Sequence, residues 1–218
     1  MTFLLIHIIY ITITGTIALL CYYFKNNLFI WTKPLPVLGL VIIQIINLLF
    51  INTSYHYIFI IFISIALLAG MIGDILLAKK NMLIMGMISF VIGHIFYIMR
   101  FKQYKWSMPI YITIIVVAIS VLFGIFLSIK MDPAKKREFL IPLWCYITII
   151  TLMLLSAINF EYNVKRGIPF YFIGALLFYI SDAILSIDKF IKEFRLAMLF
   201  VLITYYPAQM FLSLGTIF

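Results

Sequence analysis

Long runs of apolar residues alternate with short polar stretches along the whole chain. Eight of these runs are long enough to cross a bilayer, which takes about 20 residues in a helix. The runs cover roughly residues 3–24, 34–51, 57–78, 82–101, 108–129, 140–158, 168–187 and 196–217. They lack the polar/apolar alternation of membrane-spanning β-strands. The pattern predicts an all-α, polytopic integral membrane protein with about eight transmembrane helices, forming a single multi-span domain over residues 1–218.

The composition agrees with burial in a membrane. Hydrophobic residues make up 66% of the chain and charged residues 11%, whereas a soluble domain carries roughly a quarter charged residues. The net charge of +9 would suit a nucleic-acid-binding protein. However, the basic residues lie between the apolar runs, where such charges determine topology. We therefore expect membrane lipid as the surrounding partner and no nucleic acid; oligomeric state is left open.

The distribution of basic residues predicts how the chain is oriented. The odd-numbered connections between runs hold eleven of the sixteen lysines and arginines. Cytoplasmic loops are enriched in these residues, although a dense cluster at 100–105 opposes the bias. The sequence thus predicts cytoplasmic odd-numbered loops, both termini outside, and a multi-pass protein of the cell membrane.

Two acidic residues stand where a membrane protein rarely has them. Of seven acids, only Asp74 and Asp182 are expected inside the runs, the third and the seventh, five or six residues before a charged exit. A carboxylate within a membrane span is costly and usually functional. Two that face each other share a proton and so provide an acid and a base. The alternative is that each only hydrogen bonds to a neighbouring helix, with Lys79 or Lys189 bending back to neutralise it.

The surroundings of the two aspartates are similar, since GDILL at 73–77 is matched by SDAIL at 181–185. Three pairs share an offset of 108 residues: Asp74 with Asp182, Pro34 with Pro142, and Tyr97 with Tyr205. The matches favour a tandem repeat of two four-helix units, 1–107 and 108–218, with both units in the same orientation. Chance similarity in so apolar a chain is the alternative.

A few other polar residues fall at the runs or their ends. His94 lies roughly 10 Å deeper than Asp74 by helical rise; it either lines a cavity or bonds to a neighbouring helix. Lys33 begins the second run, where it either signals topology or attracts a lipid phosphate. The three histidines, at positions 7, 56 and 94, lack the one-turn spacing of a zinc site. We therefore expect no metal.

Several motifs occur in an order typical of one family. They are TKPLP, GDILL, GMISFVIGHIFYIMRF, GALLFYISDAILSIDKF and YYPAQ, between about residues 32 and 210. The chain resembles the YhhN family, which includes animal transmembrane lysoplasmalogenases. The resemblance implies about eight helices, no cofactor, and acidic site positions at Asp74 and Asp182. Accompanying polar positions of the family match Lys33, His94, Tyr97, Ser181 and Gln209. Together with Tyr205 and Tyr206, these are the candidate substrate-binding residues.

The activity implied by the resemblance suits two carboxylates. Characterised members of the family hydrolyse the vinyl ether bond of lysoplasmalogens, which belong to ether lipid metabolism. The products are a fatty aldehyde and a glycerophospho-ethanolamine or -choline. The reaction begins with protonation of a carbon and passes through an oxocarbenium-like cation, as glycoside hydrolysis does. We therefore expect Asp74 and Asp182 to be the catalytic acid and base, in either order, acting on a lysophospholipid substrate.

Two other functions are compatible with the same residues. Paired acids within the membrane and a four-plus-four repeat are also typical of a proton-coupled transporter, here of a lipid or small amphiphile. A non-catalytic lipid-binding protein is the third possibility.

Overall fold

The protein is a bundle of helices joined by short turns. Its computed structural model describes residues 2–25, 27–50, 54–79, 81–165 and 167–217. Within these residues there are nine helices and no strand, so the predicted all-α fold is confirmed. The helices are α1 (Thr2–Tyr23), α2 (Phe29–Thr32), α3 (Leu35–Phe50), α4 (Ser54–Ala78), α5 (Leu83–Phe101), α6 (Ile110–Lys130), α7 (Pro133–Val164), α8 (Phe170–Phe190) and α9 (Ala197–Leu214).

Eight helical segments in the described part of the chain are long and apolar enough to cross a membrane. The second combines the short helix α2 with α3, and the other seven are single helices. The prediction of about eight spans is therefore confirmed, and the chain is a multi-pass membrane protein.

Helix α7 is much longer than the apolar run that predicted it. It extends over 32 residues, about 48 Å at helical rise, whereas a bilayer's hydrocarbon core is about 30 Å thick. The Asp132 carboxylate accepts a hydrogen bond from the Ala134 amide at 2.9 Å, and Pro133 occupies the first helical position. Both features stabilise a helix N-terminus. The helix therefore begins at this cap and not at the membrane boundary, so the run at 140–158 marks only its apolar part.

Two further acids lie buried within helices, so the expectation that only two aspartates would do so was wrong. Glu161 of α7 accepts a hydrogen bond from the Tyr171 amide at 2.9 Å, at the start of α8. Asp188 of α8 accepts one from the Phe194 amide at 3.2 Å, in the turn that follows. Both carboxylates satisfy amides that have no helical partner, which stabilises the ends of α8.

Helix packing follows the same order in both halves of the chain. Helix α4 packs between α3 and α5, and α8 packs between α7 and α9. The halves meet where α5 packs on α7 and α9 packs on α3. Small residues allow close approach: a Cβ at Gly93 would come within 3.1 Å of the Ala66 carbonyl oxygen, and one at Gly174 within 3.0 Å of the Ala208 carbonyl oxygen. A duplication of a four-helix unit would give this order, and the repeat remains a prediction.

Two of the basic residues counted for orientation are buried side chains. Lys33 lies inside the bundle. The Arg100 guanidinium lies 4.8 to 4.9 Å from the ring centroids of Phe59, Phe160 and Tyr171. One of the two belongs to an odd-numbered connection and the other to an even-numbered one. Leaving both out therefore keeps the excess of basic residues in the odd-numbered loops, and the orientation remains a prediction.

Candidate active site

The Asp74 carboxylate is buried and contacts both a cation and a hydroxyl group. Its Oδ1 lies 3.0 Å from Lys33 Nζ, and its Oδ2 accepts a hydrogen bond from the Tyr205 hydroxyl at 2.8 Å. Lys33 stands at the junction between α2 and α3, and this places its side chain against α4. The alternative in which Lys79 or Lys189 neutralises the carboxylate does not describe Asp74, because its cationic partner is Lys33. Lys33 is not simply a topology signal either, because its side chain is buried and forms an ion pair with Asp74.

A chain of hydrogen bonds connects Asp74 to the next helices. The Tyr97 hydroxyl of α5 donates to Gln209 Oε1 at 2.6 Å. Gln209 Nε2 donates to the Tyr205 hydroxyl at 3.1 Å, and these two residues of α9 are one helical turn apart. The Tyr205 hydroxyl accepts a hydrogen bond from Gln209, so its own hydrogen is directed at the Asp74 carboxylate.

The Asp182 carboxylate has different partners. Its Oδ2 accepts a hydrogen bond from the Tyr146 hydroxyl at 2.6 Å and lies 3.7 Å from His94 Nε2. That nitrogen is also 3.3 Å from the Tyr146 hydroxyl. His94 was expected to lie deeper than the aspartates. It meets Asp182 because α8 continues to Phe190, eight residues beyond Asp182, which puts the carboxylate about 12 Å from the helix end.

The remaining two candidates have structural contacts. The Ser181 hydroxyl donates to the Val201 carbonyl of α9 at 3.2 Å. The Tyr206 hydroxyl donates to the Lys33 carbonyl at 3.0 Å and so fixes the backbone that carries the lysine. Neither hydroxyl is bonded to a carboxylate, in contrast to those of Tyr205 and Tyr146.

Aromatic rings lie between the two carboxylate groups. Phe178 packs against His94 with ring centroids 4.8 Å apart, and against Tyr205 at 5.3 Å. Phe90 completes the cluster, 6.0 Å from the rings of both Phe178 and Tyr205. It can lie there because a Cβ at Gly73 would come within 2.7 Å of its ring. The aromatic cluster therefore packs against His94 and Tyr205, each of which contacts one of the two carboxylates.

Two small cavities border Asp182. The first, of about 30 Å³, is lined by Asp182, Tyr146, Phe90, Ser186 and Lys189, among others. The second, of about 10 Å³, shares three of these residues, Asp182, Tyr146 and Ser186. The first volume suffices for one or two water molecules, and the second is at the lower limit for one. Asp182 thus borders space that fits water, whereas Asp74 lines neither cavity.

Among the described residues, no group of three or more His, Cys, Asp or Glu side chains comes together to hold a metal ion. The residue that sequence reasoning missed is Tyr146. A single tyrosine in an apolar run gives no pattern, and only the packing of α7 on α8 brings it to Asp182.

The fold and the site together define a polytopic helical membrane protein with two buried, hydrogen-bonded carboxylates. The YhhN family model matches residues 28–216. The chain therefore belongs to the YhhN family, which is the lysoplasmalogenase family, and the predicted resemblance is confirmed. No curated protein and no solved structure matches the chain. Family membership points to a membrane enzyme of the lysoplasmalogenase kind.

Proposed function

We propose that this protein hydrolyses the vinyl ether bond of lysoplasmalogens, releasing a fatty aldehyde and a glycerophospho-ethanolamine or -choline. The observation that carries the proposal is the pair of buried aspartates, each accepting a hydrogen bond from a tyrosine hydroxyl, in a chain of this family. Both lie in the half of the bundle nearer the odd-numbered loops, below the level at which the headgroup of a membrane lipid would be.

The reaction needs one proton delivered and one removed. An acid protonates the vinyl carbon β to the ether oxygen, which leaves an oxocarbenium ion. Water adds to the neighbouring carbon and loses a proton to a base, giving a hemiacetal. The hemiacetal breaks its carbon–oxygen bond to the glycerol, which takes a proton and leaves as the alcohol while the aldehyde is formed. Positioned acid and base groups accelerate such steps by a factor of about 10² to 10⁴ each.

The contacts of the two aspartates suggest a division of these roles. We assign proton donation to Asp182, because it borders the water-sized cavities and has His94 beside it to exchange protons. We assign the second role to Asp74, whose Oδ1 lies 3.0 Å from the Lys33 ammonium as in an ion pair. Its negative charge then stabilises the cation and accepts the proton of the attacking water. Phe90 must move for Asp74 to reach the substrate, since its ring packs against Tyr205 and lines the cavity.

The other candidate residues support the carboxylates in this proposal. Tyr205, Gln209 and Tyr97 orient Asp74 through the chain of hydrogen bonds described above. Tyr146 and His94 do the same for Asp182. We infer that substrate contacts come from the cavity walls around Asp182.

The test is aldehyde release by the purified full-length protein in detergent, followed by mass spectrometry. In deuterated water the proposed protonation places one deuterium on the aldehyde carbon next to the carbonyl, provided that the aldehyde is trapped at once. Release without that label would contradict acid catalysis at the vinyl carbon. No release from any lysoplasmalogen, together with uptake of a lipid driven by a proton gradient in vesicles, would favour a transporter instead.

A further inference from the structure

The cavity beside Asp182 has a positively charged end. Lys189 lines it and lies seven residues after Asp182 in α8, which is two turns, or about 10 Å, along the same helix face. Its side chain is 33% exposed, with Nζ 3.1 Å from Asp188 Oδ2. The Lys135 ammonium donates a hydrogen bond to the Lys189 carbonyl oxygen at 2.8 Å. The ammonium groups of Lys189 and Lys135 and the Asp188 carboxylate therefore lie near this end of the cavity.

The other end of the cavity leads toward an apolar crevice. The 10 Å³ cavity lies on the inner side of Asp182 and includes Ile147 of α7. Ile147 also lines a crevice of about 140 Å³ between α6 and α7, together with Val117, Val121 and Leu155. The crevice lies at the middle of α6. The lysine, the carboxylate and these apolar walls therefore lie in sequence, with Ile147 common to the second cavity and the crevice.

We infer from this order that Lys189 binds the phosphate of a single-chain phospholipid whose hydrocarbon chain lies in the crevice between α6 and α7. The inference rests on the proposed function and adds where the phosphate and the chain of the substrate bind at the same site. In such a lipid seven bonds separate the protonated vinyl carbon from phosphorus, about 9 Å when extended. The separation between Asp182 and the side chain of Lys189, two turns further along α8, is similar to this length. Ammonium groups are common phosphate ligands.

A second crevice offers another place for the chain. It has a volume of about 350 Å³ and lies between α1 and α9, lined by Thr16, Leu202 and Tyr206, among others. Neither aspartate lines it, and the Tyr206 hydroxyl is bonded to the Lys33 carbonyl. The α6–α7 crevice is favoured because it shares Ile147 with a cavity that Asp182 lines, whereas the α1–α9 crevice shares no lining residue with either cavity.

The phosphate site is tested with paired substrates. The full-length protein is assayed with an alkenyl lysophosphoethanolamine and with the matching alkenylglycerol, which lacks the phosphate. Lys189→Gln should raise KM for the first about ten-fold and leave the second unchanged, since one charge-assisted contact is lost. Lys192→Gln, an exposed lysine just after α8, is the matched control. Equal losses on both substrates would overturn the phosphate role.

Binding without turnover separates this inference from the proposed function. A 1-alkyl lysophosphoethanolamine keeps the phosphate and has no vinyl ether, so it binds without being cleaved. It should raise the melting temperature of the wild type. For Lys189→Gln, about ten times more of the lipid should be needed to reach the same rise in melting temperature. Equal stabilisation of both proteins would overturn the inference even if aldehyde is released. Weaker stabilisation of the variant without any aldehyde release would uphold the phosphate site and contradict the hydrolase.

The position of the chain is tested by filling each crevice. Val121→Trp should reduce the ratio of kcat/KM for a long alkenyl chain to that for a short one about ten-fold. This is the effect expected when about two methylene groups lose their apolar contacts. Leu122→Trp is the control, because this neighbour in α6 is 67% exposed and does not line the crevice. Thr16→Trp fills the α1–α9 crevice and should leave the preference unchanged. A shift with Thr16→Trp alone would overturn the proposed path.

Discussion

The Lys33 ammonium lies 3.0 Å from the Asp74 carboxylate, and the two side chains are 5% and 1% exposed. The pair connects the junction of α2 and α3 to the end of α4, across 41 residues of sequence. A buried ion pair contributes little net stability compared with apolar side chains, but loss of one partner leaves an uncompensated charge. A change at this contact should therefore affect both the stability of the bundle and the geometry of the candidate active site.

Lys33→Met should destabilise the protein by about 3 to 5 kcal/mol, because Asp74 would remain buried without its cation. The measurement is the melting temperature in detergent. The double variant Lys33→Met/Asp74→Asn removes both charges and should recover most of the loss. A single variant as stable as the wild type would show that the pair does not hold this junction.

Asp74→Asn and Asp182→Asn should each reduce aldehyde release by about 10² to 10⁴-fold. Asparagine keeps the size of aspartate but neither delivers nor accepts the proton. Asp182→Asn should insert and purify normally, since a neutral side chain avoids the desolvation of a buried charge. Asp74→Asn leaves the buried Lys33 ammonium without its partner, so it should also lower the melting temperature. Size-exclusion profiles and turnover with a lysoplasmalogen are the measurements.

Asp132→Asn is the matched control for these two variants. Asp132 is exposed and caps α7 through its side chain, a role that asparagine also performs. Turnover should therefore stay normal. Near-normal turnover in either Asp74→Asn or Asp182→Asn would contradict the mechanism with two carboxylates.

Tyr146→Phe removes the hydroxyl that donates to Asp182 while preserving the ring. We expect kcat to fall about ten-fold or more, since a hydrogen bond to a charged group is worth about 1.5 to 3 kcal/mol. Tyr179→Phe is the comparison, because its hydroxyl donates to Ser120 at 2.9 Å and not to a carboxylate. If the two variants are equally active, the hydroxyl of Tyr146 does not act on Asp182.

The predicted orientation is tested by cysteine labelling. In a chain whose Cys21 and Cys145 are replaced by alanine, Lys105→Cys should react with an impermeant reagent in intact cells. Lys192→Cys should react only after permeabilisation, because the odd-numbered loops are predicted to be cytoplasmic. The reverse pattern would invert the orientation and leave the helix count unchanged.

The eight spans and the two aspartates were predictable because each is a local feature of the sequence. An apolar run marks a span, and a carboxylate within it is conspicuous. Tyr146 was not predictable, since its partner is chosen by the packing of α7 on α8. The cationic partner of Asp74 was not predictable for a similar reason: the alternative named Lys79, which is near in sequence, whereas Lys33 reaches the carboxylate through the fold. Glu161 and Asp188 were placed in loops because hydropathy locates the membrane and not the helix ends.

The length of α7 has a consequence for how the surrounding membrane acts on the protein. The helix is longer than a bilayer core is thick, and its first turns carry the exposed residues Lys135, Lys136 and Arg137. Each such charge is attracted to an anionic leaflet by about 1 kcal/mol. Because the same helix carries Tyr146 to Asp182, with Pro142 between the two parts, we expect a pull on its projecting end to shift Tyr146 against the carboxylate. We therefore expect turnover in vesicles to vary with their content of anionic lipid, which would make the protein responsive to the surface charge of its own membrane.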